Sequence, residues 1–299
     1  MSETGIDGDA PTRVADTRCV TGEGPVWHPD EGALYWCDIP NGRLYRYDPA
    51  IEAHERVLDG SDALGGHTLQ TDGSFLLFRG GGRVERFDPE RGERETVATI
   101  EDAADTRFND VVADPEGRVY AGTMPTDGRL GRLYRLDPDG SIARVDDRGY
   151  DIPNGMGFTP ERDAMYVTES DATTVHRFEY DRATGALTGR RPFLDLGDET
   201  GVPDGMTVDA DGDVWSARWN GGALVRYDAA GAERERVSFP ARKVSSVTVG
   251  GPDYRDLYVT TAGGDERSVE GDGAGALFRL RAPDGVRGRP PFRSAFRIE

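Results

Sequence analysis

Leu44-Tyr-Arg-Tyr-Asp48 is a short segment in which aromatic and charged side chains alternate, and five more segments of the same kind follow it in the chain. Alternation with a period of two places successive side chains on opposite faces of a β-strand. The copies lie roughly 40–50 residues apart, which is the repeat length of propeller blades. They centre on Arg46, Arg86, Arg135, Arg177, Arg226 and Arg279.

Other strand-like segments accompany each copy. An apolar one precedes it at Leu34–Asp38, Phe75–Phe78, Val119–Gly122, Met165–Thr168, Val214–Ala217 and Leu257–Thr260. A further strand lies upstream of that one, and in most repeats a fourth follows, with Asp-Gly or Pro-x-x-Gly turns between them. Four short strands in each of six repeats predict an all-β fold, a six-bladed β-propeller with four-stranded blades. A solenoid is the alternative, but the terminal repeats lack the polar caps that solenoids need.

The two chain ends fall outside this pattern. We expect residues 1–12 to be a disordered N-terminal tail because they are polar and acidic, and residues 13–299 to form a single propeller domain. The stretch Thr12–Cys19 is expected to complete the last blade and so close the ring. The tail from Arg287 is basic and rich in proline, and we expect it to pack outside the blades.

The charge composition excludes some partners. The net charge is −19, which would repel nucleic acids and anionic membranes. Of 36 basic residues only Lys243 is a lysine. An acidic surface with almost no lysine indicates adaptation to a salt-rich cytoplasm, where ions screen like charges. A GC-rich genome that favours arginine codons is the alternative, and both explanations are compatible.

The cysteines and the N-terminus indicate the compartment. Cys19 and Cys37 are the only two cysteines, and neither a secretory signal nor an apolar run of membrane-spanning length is visible. We therefore expect a cytoplasmic protein with free thiols, and a Cys19–Cys37 disulfide is the alternative. We also expect a monomer or small homo-oligomer.

The starts of the innermost strands converge at the axis of a propeller. Aligning the repeats places six residues at this position: Glu23, Gly65, Asn109, Asn154, Asp204 and Ser245. Four of them carry a carboxylate or amide oxygen. Each one alone is compatible with an ordinary turn, but four at one register favour a functional rim.

Three of these rim residues have the chemistry of a metal site. Glu23, Asn154 and Asp204 offer oxygen ligands, which hard cations such as Ca²⁺, Mg²⁺ or Mn²⁺ prefer. Three protein ligands leave positions open for water or substrate, as in catalytic sites. The histidines are scattered, but His67 falls near the rim of blade two and is a candidate to contact a substrate.

Five motifs carry a resemblance to a known family. They are Gly22-Glu-Gly-Pro-Val-Trp27, Arg107-Phe-Asn-Asp110, Ala121-Gly-Thr-Met124, Pro153-Asn-Gly-Met156 and Pro203-Asp-Gly-Met206. With these motifs the sequence resembles the regucalcin/gluconolactonase family, also called senescence marker protein. The resemblance implies a six-bladed propeller that hydrolyses sugar lactones.

The resemblance also implies roles for individual residues. Glu23, Asn154 and Asp204 match the positions that bind one divalent metal in the family, with Ca, Mg, Mn, Zn and Fe left open. Arg107 and Asn109 match the sugar-binding pair. Asp127 follows Gly-Thr-Met, where some members have an acidic sugar-binding residue.

The expected reaction is metal-dependent hydrolysis of an aldonolactone to the aldonic acid, with Asp204 as the base. A pentonolactone or gluconolactone from oxidative sugar degradation is the expected small-molecule substrate. One alternative is a calcium-binding propeller without enzymatic activity. Another is a propeller hydrolase that acts on other esters or lactones, for which Trp219 would lie near the opening.

Overall fold

The computed structural model describes residues 10–197 and 199–297. Residues 1–9, most of the expected N-terminal tail, therefore lie outside the described residues. Strands in the described part form six four-stranded antiparallel sheets. The first strands of the sheets contact one another in a ring, in chain order and back to the start. The six-bladed β-propeller with four-stranded blades is confirmed.

The first three blades follow one another along the chain, and each is ordered from the axis outwards. Blade one contains β2 (Gly22–His28), β3 (Ala33–Asp38), β4 (Arg43–Asp48) and β5 (Ala53–Leu58). Blade two contains β6 (Leu64–Leu69), β7 (Phe75–Arg79), β8 (Arg83–Asp88) and β9 (Glu93–Thr99). Blade three contains β10 (Phe108–Ala113), β11 (Val119–Thr123), β12 (Leu133–Leu136) and β13 (Ile142–Arg144).

The other three blades repeat this order, with one strand taken from the start of the chain. Blade four contains β14 (Pro153–Phe158), β15 (Ala164–Glu169), β16 (Thr174–Tyr180) and β17 (Leu187–Asp195). Blade five contains β18 (Val202–Val208), β19 (Val214–Trp219), β20 (Ala223–Tyr227) and β21 (Glu233–Ser238). Blade six contains β22 (Val244–Gly250), β23 (Asp256–Thr261), β24 (Leu277–Arg281) and β1 (Thr12–Ala15).

The ring is closed by the N-terminal strand. Strand β1 pairs with β24 in an antiparallel register, so the outer strand of the last blade comes from the beginning of the chain. This confirms the expected closure. Blades six and one also pack through aromatic rings, since Trp27 stacks on Tyr258 with 5.9 Å between ring centroids. Cys19 and Cys37 are buried free thiols, as expected.

Helices contribute little to the described residues. One turn of 3-10 helix spans Glu101–Ala103, and the short helix α1 spans Arg267–Glu270 in the loop after β23. No helix in residues 10–197 or 199–297 is long and apolar enough to cross a membrane.

The C-terminal segment, residues 287–297, crosses the base of the propeller, which we define as the face where the inner strands end. It reaches all six blades through Asp30, Leu69, Gly117, Pro160, Ala210 and Tyr254. Phe296 is buried in the apolar core between blades two and three. The expectation that this tail packs outside the blades is therefore too simple, because its aromatic side chain is part of the core.

Candidate functional site

A β-bulge interrupts the pairing of every inner strand just after its start. The bulges lie at Glu23–Val26, Leu64–Gly66, Phe108–Asp110, Asn154–Met156, Pro203–Met206 and Val244–Ser246. A bulge bends its strand and changes the direction of the side chains beside it. All six positions aligned from the sequence lie at these bulges. The repeat therefore positions them at one end of the ring, which we call the mouth.

Asn154 and Asp204 are in direct contact across blades four and five. The Asn154 amide donates a hydrogen bond to the Asp204 carboxylate and another, of 3.1 Å, to Ser170 Oγ. Both residues are buried. Gly155 permits this approach, because a Cβ there would lie 2.5 Å from the backbone oxygen of Asp204.

Two carboxylates are buried at the mouth with few partners. Glu23 Oε2 accepts a 3.0 Å hydrogen bond from the Gly24 amide. Burial raises the pKa of Glu23, and the nearby charges of Asp204 and Asp110 raise it further. Burial and Asp110 likewise raise the pKa of Asp204, against the hydrogen bond from Asn154 and the charge of Arg107. These carboxylates repel one another in a place from which water is largely excluded.

Asp110 is a third carboxylate of this group, and sequence reasoning missed it. It borders the central cavity, and its Oδ1 accepts a 2.6 Å hydrogen bond from the Val111 amide. Burial raises its pKa to about 7. The equivalent residues, one position beyond the aligned rim, are Gly24, Gly66, Gly155, Gly205 and Ser246. Comparing that next position across the repeats would have singled out Asp110 as the one carboxylate among small residues.

Arg107 and Asn109 form a hydrogen-bonded pair on blade three. One Arg107 guanidinium nitrogen donates to Asn109 Oδ1 and to the Phe108 carbonyl oxygen, each at 2.9 Å. The Asn109 amide donates to the Pro153 carbonyl oxygen of blade four at 3.1 Å. Burial lowers the pKa of Arg107, while the charges of Glu23 and Asp204 raise it. Arg107 therefore faces the carboxylates and is not part of a surface salt bridge.

The charges and donor atoms at the mouth fit a divalent cation. When all three carboxylates are ionised, the net charge of the group is −2 in a buried place. It comes from the negative charges of Glu23, Asp110 and Asp204 and the positive charge of Arg107. Within residues 10–197 and 199–297, no three His, Cys, Asp or Glu side chains are arranged to hold a metal ion. A site at this point therefore needs the Asn154 amide as a ligand, and all the donors would be oxygen atoms.

His67 and Asp127 lie apart from this cluster. His67 lines the central cavity, of about 170 Å³, and neither ring nitrogen has a partner among the described residues. Burial lowers its pKa to about 4, so the ring is neutral at pH 7. Asp127 is exposed at the tip of the tight turn between Thr126 and Arg129. The structure thus brings Glu23, Arg107, Asn109, Asn154 and Asp204 together, with His67 inside the cavity and Asp127 at a loop tip.

Comparisons with known proteins agree with this architecture. The family model described as SMP-30/Gluconolactonase/LRE-like region matches residues 21–263. The chain is similar to pentonolactonase XacC of Haloferax volcanii, with 53% identity over 96% of this chain and 99% of that protein. It is 36% identical to Xenopus laevis regucalcin, over 81% of this chain and 83% of that protein.

A solved structure of a related protein has the same fold. The crystal structure of regucalcin from Agrobacterium tumefaciens, described as a calcium-binding protein, superposes with a TM-score of 0.86 at 26% identity. The superposition covers 96% of this chain and 98% of that one. The relative from Haloferax volcanii also supports the salt adaptation expected from the charge composition. The region that the family model matches contains all five motifs and all six aligned residues of the mouth. The chain belongs to the SMP-30/gluconolactonase/LRE-like family.

Proposed function

We propose that this protein hydrolyses a pentonolactone to the open-chain acid, with a divalent cation held by Glu23, Asn154 and Asp204. The chain is a hydrolase of cyclic carboxylic esters, the class to which its family and its pentonolactonase relative belong. The observation that carries the proposal is the Arg107–Asn109 pair facing buried carboxylates. A site that only stored a cation would not need this pair.

Arg107 and Asn109 bind and orient the sugar. The guanidinium of Arg107 has five N–H donors and remains charged, so it can bind hydroxyl and ring oxygens while it holds Asn109. The link from Asn109 to the Pro153 carbonyl oxygen fixes this pair relative to Asn154 on blade four. A sugar held in one orientation has already lost rotational and translational freedom on binding, so the chemical step has a smaller entropic cost.

Asp204 is the base that removes a proton from the attacking water. Its position at the bulge of β18 and its hydrogen bond from Asn154 hold the carboxylate in one orientation. A bound divalent cation supplies polarisation of the lactone carbonyl and a lower pKa for water. Glu23 and Asn154 would contribute oxygen ligands to this cation, and its positive charge, held in a buried place, would stabilise the developing oxyanion.

The pentonolactone class is favoured by the most similar of the reported relatives, at 53% identity over nearly the whole chain. Such lactones arise when pentoses are oxidised, and we propose that the enzyme acts in the cytoplasm. A calcium-binding protein without enzymatic activity is the second candidate, supported by the description of the Agrobacterium tumefaciens structure.

The test is a pH-indicator assay in high salt with a panel of aldonolactones, each metal in turn, and a chelator. We expect turnover that depends on the metal and is greatest with a pentonolactone. Absence of turnover with every lactone, while calorimetry shows that a cation binds, would favour the calcium-binding candidate.

A further inference from the structure

The only lysine of the chain occupies a special position in the repeat. Lys243 immediately precedes Val244, the first paired residue of β22, just as Arg107 immediately precedes Phe108 on β10. The two cations therefore stand at equivalent positions of blades six and three. In a ring of six blades these two are opposite each other, so cationic side chains originate on both sides of the mouth.

Lys243 is held in place by an acidic and an aromatic side chain. Its Nζ lies 2.9 Å from Glu270 Oε1 and 5.2 Å from the centroid of the Trp219 ring. Glu270 is buried and is also bound by Arg242, at 2.7 and 2.9 Å. The Lys243 side chain remains 21% exposed. The described contacts use one of the three N–H donors of the ammonium group, which leaves two for a ligand.

Trp219 completes a surface suited to a sugar. It pairs with Val202, two residues before Asp204, and is only partly buried. The other three tryptophans, Trp27, Trp36 and Trp215, are buried. The exposed part of the Trp219 ring that Lys243 does not cover offers apolar area for the C–H side of a sugar, and the ammonium offers donors for its hydroxyl oxygens.

We propose that Lys243 and Trp219 form a second sugar subsite that binds the hydroxylated end of the lactone, opposite Arg107. The inference rests on the proposed function and deepens it. The ring carbonyl lies at Glu23, Asn154 and Asp204, and the hydroxyl groups distant from it reach Lys243. The subsite selects hydroxylated lactones over lactones that carry no hydroxyl groups.

The test compares Lys243→Met with Arg242→Met, which removes a cation bound to the same Glu270. Lys243→Arg serves as the conservative variant. For each, we would measure kcat and KM with a pentonolactone and with γ-butyrolactone, which carries no hydroxyl groups. Loss of a hydrogen bond to a charged group predicts a KM for the pentonolactone about tenfold higher in Lys243→Met. We expect a smaller change for γ-butyrolactone, a small change in Arg242→Met, and partial rescue in Lys243→Arg.

Fluorescence gives a second readout that does not depend on turnover. Titration with a neutral five-carbon polyol should change the emission of the wild type, and this change should be absent in Trp219→Phe. Equal KM changes in Lys243→Met and Arg242→Met would overturn the proposal, since Lys243 would then act only through Glu270. An unchanged KM in Lys243→Met would also overturn it. If the wild type hydrolyses no lactone, the proposed function itself fails and the inference falls with it.

Discussion

The side-chain amide of Asn154 donates a hydrogen bond to the Asp204 carboxylate, although the two residues lie in different blades. The same amide group offers an oxygen, which here accepts a 3.1 Å hydrogen bond from the Gly155 amide. Rotation of the amide by half a turn would direct two oxygen atoms toward the same point, an arrangement that a cation or a proton on Asp204 would stabilise. In the proposed cation-bound form, Asn154 would therefore have to turn its amide oxygen toward Asp204.

Replacement of Asp204 tests its role as the base. Asp204→Asn keeps the size of the side chain but cannot accept a proton from water, so we expect kcat to fall by about 10²–10⁴-fold. Asp211→Asn is the matched control, because it removes the same charge from an exposed turn that follows the same strand. Near-normal kcat in Asp204→Asn, with a cation still bound, would assign the base to another group.

Replacement of Glu23 tests the cation ligands. Glu23→Gln removes one negative charge from the cluster, and we expect cation affinity to weaken by about tenfold or more. Titration calorimetry at neutral pH measures this directly, without reference to turnover. Glu161→Gln, at an exposed position, controls for the change in net charge. Equal affinities of Glu23→Gln and Glu161→Gln would exclude Glu23 as a ligand.

The buried carboxylates predict how the stability of the cation-free protein depends on pH. The folded-state pKa of Asp110 is about 7 against 3.8 in the unfolded chain, so the folded state binds more protons between these values. Stability must therefore fall as pH rises through this interval, by at most about 4 kcal/mol from Asp110. The raised pKa values of Glu23 and Asp204 make stability depend on pH in the same direction. The positive charge of Arg107 lowers both pKa values and so reduces this effect.

Chelator-treated protein should accordingly melt at a higher temperature at pH 5 than at pH 8, and a divalent cation should remove most of the difference. Asp110→Asn should reduce the difference, whereas Asp211→Asn should leave it unchanged. A cation-free melting temperature that rises with pH, in wild type, would contradict the burial of these carboxylates.

The C-terminal segment should contribute to stability through Phe296. Phe296→Ala removes a buried ring from the core between blades two and three, and we expect a loss of about 3–5 kcal/mol in unfolding free energy. Ile51→Ala, at a site that is 71% exposed, should cost less than about 0.5 kcal/mol. Urea unfolding of both variants in the same salt measures the difference.

Much of the fold and part of the site were predictable because the repeat is periodic. The alternation around Arg46 and its five equivalents predicts the strands, and one alignment of the repeats places Glu23, Asn154 and Asp204 at the mouth. Asp110 was missed because it lies one position beyond the aligned one, where the bulge alters side-chain directions. The depth of His67 in the cavity depends on the packing of neighbouring blades, which no local pattern records.

The C-terminal segment was not predictable for a different reason. It has no periodicity, and its position depends on contacts with all six blades that are distant in sequence. Its proline-rich and basic composition indicates only that it is irregular. The burial of Phe296 is set by tertiary packing, which is not apparent from local composition.

Residues 288–292 line the central cavity at its base. The C-terminal segment to which they belong is hydrogen-bonded to all six blades, so it ties together blades that are not neighbours in the ring. Separation of any one blade at the base must therefore break at least one hydrogen bond to this segment.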